Sequence, residues 1–245
     1  MLTTGLTILR LLVEAEGSLT ATAIADRVGL HPSNVSRTLR VLIEAGYVRK
    51  PHYHRFAPDL GVLALSGVAA WSLPECRLTA APLAAFAAAQ PQWNCALGAL
   101  VDDQILYLHR LIAGQPPMRG ATLGYPLHQS AVALRLLAAE EPTRAREALE
   151  RSRRRYGWPR PTPLLPGDPA TCCSGLADLI SDGVCCFDGW NAPGLMQAAG
   201  MVTTPSGRRL AVAVDGTGGS IDDARRLAQA LTADLHHALH EDQAT

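Results

Sequence analysis

The chain is 245 residues long, 48% hydrophobic and 18% charged, with 22 basic and 22 acidic side chains. That much apolar matter with so little charge excludes a disordered chain, and the length suits a small domain joined to a medium one. No apolar run approaches the roughly 20 residues of a membrane-spanning helix, Met1–Gly5 lacks the basic opening of a secretory leader, and six cysteines in so long a chain are expected to be reduced thiols, so the expectation is a cytoplasmic protein.

The charge is uneven. Residues 1–58 carry seven basic side chains against four acids, and the remaining 15 arginines stand against 18 acids. A basic head on a mildly acidic body suits a nucleic-acid-binding module with a separate sensing body, but an excess this small decides nothing alone.

In chain order, Ile8, Leu11, Leu12 and Ala15 recur at helical spacing and Gly17 ends the run. Thr20 is placed to cap a short helix carrying Ile24, Ala25 and Val28. Gly29-Leu30 predicts a tight turn. A third helix opens at Pro32, where a missing amide proton costs nothing, and runs to Ala45 with Gly46 as a left-handed cap. Two short strands, 47–50 and 54–56, are expected around a turn at Pro51-His52. The pattern Leu60, Leu63, Ala64 and Val68 then predicts a connecting helix, closed by Pro74. The division expected is a head over 1–58, a linker helix over 59–74 and a body over 75–245.

For the body, the spacing predicts a helix over 82–89 and strands over 96–101 and 105–111, joined at Asp102-Asp103-Gln104. An extended stretch over 119–127 and helices over 130–139, 142–156 and 170–181 follow, with a proline-rich loop at 158–169. Strands over 184–187, 195–203 and 209–215 lead to a closing helix over 221–239. Hairpins mixed with helices indicate an α+β body around an antiparallel sheet.

The third helix carries the strongest signal. Ser33, Ser36, Arg37 and Arg40 fall at i, i+3, i+4 and i+7 and share one face, while Val35, Leu39 and Leu42 lie on the other. An apolar back with a polar, basic front, one turn after a short helix, fits a helix-turn-helix. Arg37 and Arg40 can bond guanine bidentately and Asn34 adenine. Arg49, Lys50, His52, His54 and Arg55 would form a basic wing for phosphate or the minor groove. The competing reading is an ordinary three-helix unit with a solvated polar face.

The stretch Gly5–Leu12, the segment 19–30, the run His31–Leu42 and Glu44–Val48 resemble the winged helix-turn-helix of the IclR-type transcriptional regulators. The body resembles theirs too, through Leu97–Arg110, Gly124–Ala131, Gly183-Val184, Pro193–Leu195 and Ala198-Ala199. The resemblance implies a winged head, a linker helix and a GAF-like effector domain whose antiparallel sheet is flanked by helices. It implies a homodimer or dimer of dimers on double-stranded operator DNA, acting as a repressor under a small organic-acid or amino-acid-like effector, with no cofactor, metal or membrane. The amides of Ala131 and Val132 would hold a carboxylate, with Phe187 or Asp188, Gln197, Ala213 and Asp215 as the other pocket positions. Two departures stand out: His52-Tyr53-His54 replaces the usual glycine pair at the wing tip, and Gln197, Ala213 and Asp215 stand where an acid, a cysteine and small hydroxyls are common.

Elementary physics also favours an anion site where a helix begins after Ser130, since its first amides lack partners. Asp215 would repel a second carboxylate and so favour a ligand bearing both charges; alternatively it simply ends a strand in solvent beside Gly216.

Cys172-Cys173 and Cys185-Cys186 suggest a zinc site, but adjacent cysteines point apart, and buried thiols are the plainer expectation. His236, His237 and His240 lack further ligand groups, and Arg151 with Arg153, Arg154 and Arg155 reads as a solvated helix end. No nucleophile elbow, phosphate loop or His-Glu-x-x-His appears. An acyl-transfer or hydrolytic enzyme is the weaker alternative.

Overall fold

A computed structural model of the chain describes residues 2–15, 17–115 and 122–241. It divides into two compact units between Ala69 and Ala70.

In the first unit, α1 (Leu2–Glu14) buries Ile8 and Leu12. Helix α2 (Ala21–Val28) is capped by Thr20, whose Oγ1 accepts from the Ala23 amide at 3.1 Å, and closes at Gly29 with φ of 68°. Helix α3 (Pro32–Glu44) ends at Gly46, φ 78°, where the Tyr47 amide donates to the Leu42 carbonyl at 2.9 Å. Only glycine takes this left-handed cap without steric cost. A three-stranded sheet in the order β1 (Leu19–Thr20), β3 (Arg55–Pro58), β2 (Val48–His52) forms the wing. The wing turn falls at Tyr53-His54, not at Pro51-His52. Pro51 sits in β2 at a register shift between Arg49 and His52, where a missing ladder amide is tolerated, and His54 takes φ of 57°. Strand β1 is too short for alternation to reveal it. The core joins Ile8, Leu12, Ile24, Ala25, Val35, Leu39, Val48 and Phe56. Helix α4 (Leu60–Ser72) follows, with Leu60, Leu63, Leu65 and Val68 all more than half exposed.

The second unit is built on a seven-stranded antiparallel sheet. Its strands are β4 (Asn94–Val101), β5 (Gln104–Leu111), β6 (Thr122–Leu123), β7 (Ile180–Ser181), β8 (Val184–Asp188), β9 (Met196–Thr203) and β10 (Arg209–Gly216), in the order β6-β5-β4-β10-β9-β8-β7. Helices α6 (Ala131–Leu137), α7 (Pro142–Tyr156) and α8 (Pro169–Gly175) contribute to the core on one face. Helices α5 (Pro74–Ala89) and α9 (Ile221–Glu241) cover the other. The β4–β5 turn carries Asp102 and Asp103, both at positive φ, the twist a tight hairpin needs.

In the second unit, three elements differ from the sequence reading. Helix α5 begins at Pro74, with Pro82 inside it; burial of Cys76, Thr79 and Leu83 outweighs the one helix bond that Pro82 cannot make. The expected helix over 170–181 stops at Gly175, and Ile180 pairs instead with Cys185 across the turn at Asp182-Gly183. Of the expected extended stretch 119–127, residues 119–121 lie outside the described residues, Thr122–Leu123 forms β6, and Leu127–Gln129 is a 3-10 turn.

Strand β9 meets α9 closely at Gly200, where an added Cβ would lie 3.1 Å from the Thr232 Cβ and closer still to its hydroxyl. Gly200→Ala is expected to cost about 1–3 kcal/mol through overpacking. A thermal melt checks this: an unchanged midpoint would mean that the contact is slack.

Candidate functional site

Helix α3 is anchored by Val35 and Leu39, both at 1% exposure or less, which turns Ser33, Ser36, Arg37 and Arg40 outward. A groove of 780 Å³ runs along this face. It is lined by Ser33, Ser36, Arg37 and Arg40 with Thr20 and Thr22 of the preceding helix region, and by Lys50 and His54 of the wing. Ser36, Arg37 and Arg40 have no side-chain partner among the described residues. Ser33 is partly committed, since His31 Nδ1 caps the helix through the Ser33 amide at 3.3 Å and lies 2.8 Å from Ser33 Oγ.

Three other candidates fall outside the groove lining. Asn34 and Arg49 are exposed beside it, and Arg55 Nη1 donates to the Ser18 carbonyl at 2.8 Å, tying the wing to the preceding loop. Sequence reasoning missed Thr22 and the acid Glu44, which also lines the groove. Glu44 falls four residues after Arg40 on the same helical face, a spacing that extends the pattern, whereas Thr22 joins the groove only through the packing of α2 beside α3.

In the second unit, the α6 face of the sheet collects most of the expected effector positions. Phe187, Gln197, Asp215 and Asn94 are successive cross-strand neighbours over β8, β9, β10 and β4. One row along, Cys185, Ala199, Ala213, Ala96 and Arg110 do the same. Asp188, one residue after Phe187, is exposed and by alternation points to the opposite face, which removes it from this row.

Ser130 caps α6. Its Oγ accepts from the Ala133 amide at 3.0 Å and lies 2.7 Å from the Tyr107 hydroxyl. The amides of Ala131 and Val132 have no acceptor among the described residues. Gln197 is buried, its Oε1 accepting from Asn191 Nδ2 at 3.0 Å. The Asn191 Oδ1 is buried without a partner among the described residues. His128 is fully buried and stacked on Trp158 with ring centroids 4.1 Å apart, and burial holds its imidazole down to about 4, so it is neutral near pH 7. Trp190 donates to the His128 carbonyl at 2.9 Å and meets Phe187 edge-on.

Asp215 lies within β10, half-buried, not in solvent at its end. Its Oδ2 accepts from Asn94 Nδ2 at 2.6 Å. Burial pushes its carboxyl upward in pKa, while the Asn94 amide and the Arg110 guanidinium pull it down. Sequence reasoning missed Arg110. A bulge opposite Leu97 and Gly98 leaves Leu108 unpaired and brings Tyr107 and Arg110, three residues apart, onto one face. The Arg110 guanidinium lies 5.5 Å from the Tyr107 ring centroid and 5.9 Å from that of Tyr125.

The remaining motifs find structural surroundings. Cys185 enters one core and Cys186 packs against the other, as alternation predicts. Cys172 is also buried, while Cys173 is half-buried. Arg151 pairs with Asp103 at 2.7 Å and Glu147 at 3.5 Å. Among the described residues, no helix is long and apolar enough to cross a membrane.

Residues 2–52 match the IclR helix-turn-helix domain family. Curated protein sequences give no match. Among solved structures, an IclR family transcriptional regulator from Brucella abortus is 20% identical, with 100% of this chain and 91% of that one covered and a TM-score of 0.74. A second, an IclR transcriptional regulator from Alicyclobacillus acidocaldarius, is 20% identical over 97% of this chain and 96% of that one, at a TM-score of 0.69. A third, an IclR homolog from Microbacterium hydrocarbonoxydans complexed with 4-hydroxybenzoate, is 18% identical over 100% and 99%, at 0.69. Residues 2–52 thus match the IclR helix-turn-helix domain, and the chain as a whole is similar in fold to solved IclR-type regulators.

Proposed function

We propose that the chain is a transcriptional regulator, not an enzyme, whose operator binding answers to a small carboxylate-bearing effector held on the α6 face of the sheet. The observation that carries this is the outward row of Ser36, Arg37 and Arg40, without side-chain partners among the described residues, beside a basic wing. In this reading α3 enters the major groove, Arg37 and Arg40 read base edges, and Ser33, Arg49 and Lys50 hold phosphate. Ala131 and Val132 offer amides to the effector, with Phe187, Gln197, Ala213 and Asp215 as its floor. The 4-hydroxybenzoate held by the Microbacterium protein, a small carboxylate, supports that class of ligand.

A gel shift on the promoter region beside the gene, repeated with small carboxylates, tests the reading. Specific retention that a carboxylate alters is expected; no preference for that DNA over unrelated duplex counts against it.

The surface of α4 supports a homodimer. Leu60, Leu63 and Val68 are 74%, 66% and 71% exposed on one side of the helix in the single chain, an apolar face that a second copy would cover. A dimer presents two heads to two half-sites. Light scattering at micromolar concentration should give a dimer or larger, and Leu63→Glu should shift it toward monomer; a monomeric wild type contradicts the assembly.

A further inference from the structure

Arg110 and Asp215 are opposite charges on one sheet face that do not neutralise each other directly. Arg110 is on β5 and Asp215 on β10, with β4 between them and an offset of two residues along it, so their backbones are about 12 Å apart. No ion pair joins them among the described residues. The Arg110 guanidinium is held over the rings of Tyr107 and Tyr125 and makes no hydrogen bond among the described residues, leaving its donors available. The Asp215 carboxylate is fixed by Asn94, which contacts Oδ2. Asn94 is itself anchored, its Oδ1 accepting from the Ala113 amide at 2.7 Å. Next to Asp215 in the row is Gln197, buried and neutral. Two charges of opposite sign on one sheet face, one strand apart and partly withdrawn from water, are costly unless a ligand brings the complement of each.

We propose that the effector is an α-amino acid, its carboxylate taken by Arg110 and its ammonium by Asp215. The proposal rests on the effector reading above and moves the carboxylate anchor from the start of α6 to a strand guanidinium. A planar guanidinium binds carboxylate bidentately, and an α-amino acid carries both charges on one carbon, the complement of a guanidinium and a carboxylate that share a sheet face without forming an ion pair. Tyr107 and Tyr125 hold the guanidinium in place, so its ordering is largely accomplished before the ligand arrives.

The test is calorimetry on the full-length protein with the common L-amino acids. Each is run beside its 2-oxo acid, which lacks the ammonium, and its decarboxylated amine, which lacks the carboxylate. At least one amino acid should bind, with its 2-oxo acid and its amine each weaker by about tenfold or more. Asp215→Asn should weaken the amino acid by a similar factor without weakening the 2-oxo acid. Arg110→Gln should weaken both, and Arg110→Lys should recover part of the loss. Where a variant lacks a cooperative melt, the wild-type panel decides alone. A 2-oxo acid or 4-hydroxybenzoate that binds wild type as tightly as any amino acid overturns the proposal and leaves a carboxylate effector standing. Failure of every amino acid, oxo acid, amine and benzoate overturns both.

Discussion

Arg37→Ala and Arg40→Ala are each expected to weaken specific operator binding by about 1–3 kcal/mol, the worth of one bidentate base contact. Both side chains leave α3 on the side opposite Val35 and Leu39 and line the groove, so their loss removes no packing. The effect should fall on the operator far more than on random duplex, because phosphate contacts from the wing persist. Lys50→Ala should do the reverse, lowering affinity for both duplexes together and flattening the salt dependence. Titrations of operator and random DNA at several salt concentrations separate the two. Equal losses on both duplexes for Arg37→Ala and Arg40→Ala would demote α3 from base reading to charge.

Leu39→Ala, one residue from Arg40, should act on the fold instead. Leu39 is 1% exposed in a core of only eight buried apolar residues, drawn from the three helices and the wing. Removing a buried leucine side chain costs about 2–5 kcal/mol, comparable to the whole stability of so small a unit. The second unit has its own two cores and does not share this one. Calorimetry should therefore show an early transition for the first unit and an unmoved later one, with operator binding abolished. A single transition at the wild-type midpoint would mean that the cavity collapses without cost.

The two neighbours show why the head was legible from sequence. A helical period carries both facts at once: every third or fourth residue goes inward, and the remainder are outward. Pro32, Gly29 and Gly46 mark their boundaries through local backbone chemistry, which needs no distant partner. The family resemblance came through the same short-range features, and the match over residues 2–52 falls on them.

Elements whose existence depends on a partner strand or a packed neighbour were misread. Pro82 looked like a helix start, since a proline is locally best there; only the burial of Cys76 and Thr79 before it carries the helix through. Ile180 looked helical because its pairing with Cys185 lies across a turn that local propensity does not encode. The wing turn moved from Pro51 to His54 because a bulge against β3 absorbs the proline.

The α6 face of the sheet shows the same limit more sharply. Gln197, Ala213 and Asp215 could be named from the sequence, but not the fact that Gln197 and Asp215 are cross-strand neighbours. Arg110 was invisible there, because a strand of strict period two sends residues three apart to opposite faces. The bulge at Leu108 breaks that period, and long-range strand register then sets Arg110 across β4 from Ala213, one row from Asp215 on the same face. Helical faces are written in local spacing, whereas the sharing of a sheet face by distant strands is decided only when the sheet closes its hydrogen bonds.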